Sequence, residues 1–151
     1  FQNDIGLLAC QYASGIQMKI LNDEISVNYG AIYENFVAQE LVAHGFGGNE
    51  HCIYYYNNKR QGELDFVIEQ DGATVPIEVK SGKDYDRHNA LSNVMTNPDY
   101  AIEKAYVLCN GNLVTRDNII YAPIYMTMFI DKKHLEKKQI FRIDMTALKQ
   151  K

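Results

Sequence analysis

Asp71 and Gly72 stand between two runs of alternating apolar residues, Glu63 to Gln70 and Ala73 to Lys80. An Asp-Gly pair in that setting specifies a two-residue type I′ turn, and with it a β-hairpin of fixed register. Pairing Gln70 with Ala73 puts Asp65 opposite Glu78 and Glu63 opposite Lys80. Alternation then divides the side chains between two faces. Leu64, Phe66, Ile68, Val75, Ile77 and Val79 are expected on a packed apolar face, and Glu63, Asp65, Val67, Thr74, Pro76, Glu78 and Lys80 on the other. Like charges placed directly opposite repel by roughly 3 kcal/mol at about 5 Å and an effective dielectric of 20. Asp65 facing Glu78 therefore calls for a neutralising partner.

A hard divalent cation is one such partner, because Mg²⁺ takes one or two carboxylates and completes its shell with water and substrate phosphate. Lys80 lies two residues from Glu78 on the same face and can hold a water for attack on phosphorus. Glu34, on a helix nearby in sequence order, offers a third carboxylate. The same acids and Lys also read as a solvated sheet surface carrying a Glu63 to Lys80 cross-strand pair worth about 0.2–1 kcal/mol. Pro76 weakens the hairpin, since Pro favours edges and bulges.

The rest of the chain bounds the fold around this hairpin. At 151 residues it suffices for one domain, 1–151, and is too short for two comfortable ones. A helix is expected over Asp4 to Leu21 with a break at Gly15, and another over Ala31 to His44, stopped by Gly45. Glu34 falls at one margin of the second helix's apolar stripe and Glu40 inside it. Strands are expected at Cys52 to Tyr56, Glu63 to Gln70 and Ala73 to Lys80. A broken helix follows over Asp86 to Lys104, then a strand over Ala105 to Cys109. Beyond a turn at Asn110 to Asn112, further strands are expected at Ile119 to Ile130 and Ile140 to Ile143, with a Lys-rich helix between them. The order implies an α/β or α+β fold around a mixed sheet flanked by helices. Residues 1–30 form an N-terminal helical addition to it, and 131–151 a basic C-terminal extension.

Charge is uneven: residues 1–50 sum to −5, 51–130 to −3 and 131–151 to +4. The whole chain, at −4, lacks the basic footprint of a generic nucleic-acid binder. Its longest apolar stretch, Ile119 to Ile130, is interrupted by Pro123 and falls short of the roughly 20 residues a membrane helix needs. Cys10, Cys52 and Cys109 are odd in number and widely spaced, as for reduced thiols in a cytoplasm. Ser81-Gly82-Lys83 lacks the spaced Gly of a P-loop, so no ATP site is expected here. The four histidines have no zinc-ligand spacing. The Tyr54 to Tyr56 run beside Lys59 and Arg60 reads either as a base-stacking surface or as a strand of mixed burial.

The segment GELDFVIEQDGATVPIEVKSG resembles the core signature of the PD-(D/E)XK nuclease superfamily. GAIYENFVAQELVAHGF is similar to the first helix of that superfamily as seen in archaeal Holliday-junction resolvases. DIGLL, YENFVAQEL, ELDFVIE, VPIEVKSG and APIYM, in that order, resemble the uncharacterised C-terminal domain that follows an AAA+ ATPase module in many bacterial and archaeal proteins. The resemblance covers nearly all of residues 4–130. It implies a restriction-endonuclease-like core, Mg²⁺ or Mn²⁺, DNA as substrate, and an ATPase module in cis, of which this chain would be the C-terminal part. By the same resemblance Glu34 matches the helix acid, Asp65 the motif Asp, and Glu78 and Lys80 the paired acid and Lys, with Asp65, Glu78 and Glu34 on the metal. Leu64 stands where the namesake Pro would be, and no Gln-x-x-x-Tyr follows the Lys. The alternative expectation is a catalytically inactive module that keeps the fold for nucleic-acid or protein contact.

Overall fold

The computed structural model describes residues 1–12, 14–22, 24, 29–48 and 52–131. Among these, six strands form one mixed sheet: β1 (Tyr54–Asn58), β2 (Gly62–Gln70), β3 (Ala73–Val79), β4 (Ala105–Cys109), β5 (Val114–Arg116) and β6 (Ile119–Pro123), in the spatial order β1-β2-β3-β4-β6-β5. Pairing is antiparallel for β1-β2, β2-β3 and β5-β6, and parallel for β3-β4 and β4-β6. Helices α1 (Ile5–Cys10), α2 (Ser14–Leu21), α3 (Gly30–Ala43) and α4 (Asn89–Met95) accompany it, with 3₁₀ turns at Pro98–Tyr100 and Ile124–Phe129. The fold is thus mixed α/β, a mixed sheet flanked by helices.

The hairpin forms as its turn residues dictate. Asp71 and Gly72 both take positive φ, 55° and 77°, as a type I′ turn requires, and Gln70 pairs with Ala73. No neighbour crowds the place a Cβ would occupy at Gly72, so Gly72→Ala isolates the backbone strain. That change is expected to cost roughly 1 kcal/mol and to lower the melting temperature by about 2–4 °C, checked by thermal unfolding. Pro76 sits in a pair that exchanges no ladder hydrogen bonds with β2, and the β3-β4 ladder begins only at Ile77. Its missing N–H is not needed.

Helix α3 ends in a Schellman motif: Gly45 N–H donates to Val42 C=O and Phe46 N–H to Leu41 C=O, with Gly45 at φ 88°. Phe46 and Leu41 are both buried, the apolar contact that accompanies such a cap. Val37, Ala38 and Leu41 of α3 pack with Phe66, Ile68, Val75, Ile77 and Val79 on one side of the sheet. On the other side, Leu91 and Val94 of α4 pack with Leu64, Ala105, Val107 and Tyr121.

Both faces of the hairpin are therefore covered, and the expected open polar face is corrected: Pro76 and Glu78 are buried, and Val67 packs against the α4-side core. Leu64 also lies on the α4 side and not with Phe66. The cause is a β-bulge, because Tyr54 pairs with Val67 while Tyr56 pairs with Leu64, leaving β2 one residue longer at Asp65-Phe66. That extra residue reverses the alternation.

Other expectations shift at their edges. The break in the first helix falls between α1 and α2, ahead of Gly15, which is helical. The strand expected at Cys52 to Tyr56 is displaced to Tyr54–Asn58. The helix expected over Asp86 to Lys104 shortens to α4 and the Pro98–Tyr100 turn. Only Ile119–Pro123 of the expected Ile119 to Ile130 strand is extended; Pro123 ends it and a 3₁₀ turn follows. The unexpected β5 pairs with β6 through Asp117-Asn118, both at positive φ, a second type I′ hairpin made with residues that tolerate the left-handed region. The Ile140 to Ile143 strand and the Lys-rich helix lie outside the described residues.

Candidate functional site

Asp65, Glu78 and Lys80 meet where β2 and β3 part. The β2-β3 ladder runs from Gln70-Ala73 to Phe66-Ile77 and stops one pair short of Asp65-Glu78, while β3 goes on pairing with β4 through Val79-Leu108. Continued regularly, the β2-β3 ladder would send Val79 N–H to Leu64 C=O. Val79 N–H instead donates to Asp65 Oδ2 at 2.7 Å. The bulge at Asp65 opens the sheet into a fork, and the Asp65 carboxylate lies across it, bonded to the peptide that joins Glu78 to Val79. Asp65 and Glu78 are therefore neighbours through this fork, which corrects the expectation of simple cross-strand partners.

Glu78 is held from one side only. Lys80 Nζ donates to Glu78 Oε1 at 2.6 Å, and Lys80 N–H donates to Leu108 C=O at 2.8 Å, which anchors the residue to β4. The Glu78 side chain is 8% exposed, that of Lys80 31%. The second oxygen, Oε2, is buried without a hydrogen-bond partner. A buried carboxylate oxygen left unmet is costly, and such groups mark sites where an ion, water or ligand is taken up.

Charge on the neighbouring acids follows from this geometry. Burial pushes the Asp65 carboxyl up to about 6, and the charges of Glu78 and Glu63 push the same way, opposed by the Val79 N–H and Lys80. Glu34, half-buried on α3, is also raised, first by burial and then by Asp65 and Glu63, with Lys80 opposing. All four residues expected from the sequence thus belong to one electrostatic neighbourhood, with Asp65 shared by its two halves. The acids do not form a three-carboxylate cage: among the described residues no group of three His, Cys, Asp or Glu is placed to hold a metal ion. Asp65 and the free oxygen of Glu78 are hard oxygen donors of the kind a divalent cation takes alongside water.

Several further residues border the site in roles the sequence did not assign them. Glu63, read as a partner of Lys80, instead adds charge to Glu34 and Asp65. Tyr55 is exposed on edge strand β1, and its hydrogen bond to Glu63 pushes the phenol up. Tyr33 of α3 donates to Asn110 Oδ1 at 2.7 Å, and Asn110 Nδ2 donates to Ser81 C=O at 3.2 Å, tying α3 to the loop after Lys80. The bulge that phases Glu63 and Tyr55 toward α3 leaves no mark in an alternating sequence.

The described histidines and Glu40 have structural partners. His88 is buried, 2.6 Å from Tyr121 Oη and 3.2 Å from Ser92 Oγ, a core histidine with both nitrogens engaged. Glu40 is paired with His44 at 3.8 Å. His51 and His134 lie outside the described residues. Among the described residues no helix is long and apolar enough to cross a membrane.

A family model described as a domain of unknown function, DUF4143, matches residues 29–127, about two thirds of the chain. That span contains Glu34, Asp65, Glu78 and Lys80. No curated protein and no solved structure matches the chain.

Proposed function

The chain belongs to the DUF4143 family, and from that premise we propose that it is a PD-(D/E)XK-type, metal-dependent nuclease-like domain acting on or binding DNA. The observation that carries this reading is the fork. Two mutually repelling carboxylates are brought together at a buried position, one oxygen is left unmet, and a Lys stands beside them. A fold selected for stability alone gains nothing from that arrangement.

Asp65 and Glu78 would hold Mg²⁺ or Mn²⁺, which when bound neutralises their charge and supplies Lewis-acid activation of water and phosphate. Burial holds the Asp65 carboxyl up at about 6, so without a cation it gains its charge through that range. Lys80 orients Glu78 through the 2.6 Å contact and presents the ammonium donors that can hold a water at the open end of the fork. Glu34, half-buried and beyond direct convergence, would act on the shell through water. DNA is the proposed substrate on the strength of the superfamily resemblance, and an ATPase module in cis the proposed context. Free Cys10, Cys52 and Cys109 suit a reducing cytoplasm.

A second reading is a catalytically inactive module of the same fold that contacts nucleic acid or protein. The formal charge of −4 favours it, as does the lack, among the described residues, of a third acid converging on the fork. Plasmid nicking with Mn²⁺ decides between the two. The wild type is expected to nick, and Lys80→Ala to reduce nicking by about 10²-fold or more, the scale of losing a positioned proton-handling group. Wild-type protein that never nicks supports the inactive module.

A further inference from the structure

We propose that Asn35 is a positioning residue of the carboxylate site, acting through a strap formed by residues 1–3. The inference rests on the fork being the functional site. Asn35 follows Glu34 in α3 and is 2% exposed. Its side chain reads the main chain of Gln2 in both directions: Oδ1 accepts Gln2 N–H at 2.7 Å, and Nδ2 donates to Gln2 C=O at 3.1 Å. Gln39, one turn on, donates to the same carbonyl at 2.9 Å. Two amide side chains at i and i+4 therefore grip one residue's backbone, whatever side chain that residue carries.

The strap reaches the other half of the site too. The Phe1 ring lies 5.5 Å from that of Phe66, the residue next to Asp65 in the bulge. A single three-residue segment thus touches two elements that carry acids of the site, α3 with Glu34 and β2 with Asp65. It also lines a cleft of about 550 Å³ with Ala38, Gln39 and Val42 of α3. If the strap lifts, the Asn35 amide loses both of these bonds together with the chain segment that meets it. The first turns of α3 then lose their tether to the segment that also packs on Phe66, and Glu34, next to Asn35, loses its fixed setting against Asp65. Seated and lifted straps correspond to two settings of Glu34 against Asp65.

Three variants of the full chain test this. Gln2→Pro deletes the N–H that Asn35 accepts, Gln2→Ala alters only the side chain, and Asn35→Leu removes the reader. Mn²⁺ affinity is measured by titration calorimetry well below the melting temperature, and amide hydrogen exchange is followed across α3. Gln2→Pro and Asn35→Leu are expected to weaken Mn²⁺ binding by roughly fivefold or more, the usual scale of coupling between two sites. Both are also expected to speed exchange over residues 30–38, and Gln2→Ala to change neither readout.

Wild-type Mn²⁺ affinity in Gln2→Pro overturns the positioning role even if exchange quickens, because a strap that only adds stability leaves the folded site unchanged. An equal loss in Gln2→Ala overturns main-chain reading. If the wild type itself takes up no Mn²⁺, the metal reading fails and the positioning role falls with it, whereas normal wild-type binding that Gln2→Pro leaves intact overturns the positioning role alone.

Discussion

Replacing Asp65 by Asn is expected to make the metal-free protein more stable while removing its response to divalent cations. The amide oxygen of Asn can still accept Val79 N–H, so the fork stays closed by the bond seen at 2.7 Å. What disappears is a charge held in an unfavourable place. Burial, then Glu78 and Glu63, lift the Asp65 carboxyl from 3.8 to about 6. A raised carboxyl binds more protons folded than unfolded, so the wild type carries no penalty from this group below 3.8. It loses stability as pH rises from there to about 6, and bears the full cost above. A shift of that size corresponds to about 3 kcal/mol at most, which solvent screening at a half-buried group reduces to about 1–2 kcal/mol. Asp65→Asn at pH 7.5 is therefore expected to melt about 2–8 °C above wild type without metal, and to match it at pH values below the unfolded carboxyl range. With Mn²⁺ the order reverses toward wild type, because an ion bound at a hundred times its dissociation constant adds about 2.7 kcal/mol. Thermal melting with and without Mn²⁺ at two pH values measures all four numbers.

Lys80→Met should have the opposite sign. It removes the cation that meets Glu78 Oε1, on a carboxylate whose other oxygen already lacks a partner. Breaking a buried pair by deleting one partner costs roughly 3–5 kcal/mol, and the partial exposure of Lys80 points to the lower end, about 3 kcal/mol. Urea unfolding should show that loss. The double change Lys80→Met with Glu78→Leu should recover most of it, since apolar replacement of both members of a buried pair is often neutral. A single variant indistinguishable from wild type would mean that water, not Lys80, satisfies Glu78.

These expectations show which parts of the molecule were legible in one sequence. The Asp71-Gly72 turn and the ladder it sets follow from local backbone chemistry, and they appear as expected from Gln70-Ala73 to Phe66-Ile77. Helix α3 and strand β4 were equally local, the first marked by its apolar stripe and Gly45, the second by five apolar or aromatic residues between polar turns. The residues that meet at the fork were legible as types at a spacing. Their geometry was not. The bulge at Asp65-Phe66 depends on how β1 pairs with β2, a contact between segments that alternation treats separately, and it changes which face Leu64, Glu63 and Tyr55 occupy. The burial of Glu78 depends on the tertiary packing of α4 over the sheet. The clamp on Gln2 joins residues 33 positions apart, with no periodicity to announce it.

Mn²⁺ binding at pH 7.5, followed by titration calorimetry on the wild type, Asp65→Asn and Glu78→Gln, tests the fork as a cation site most directly. Saturable binding to the wild type that is lost in both variants is the predicted result. Absence of binding to the wild type at millimolar Mn²⁺, or binding that survives in both variants, would contradict it.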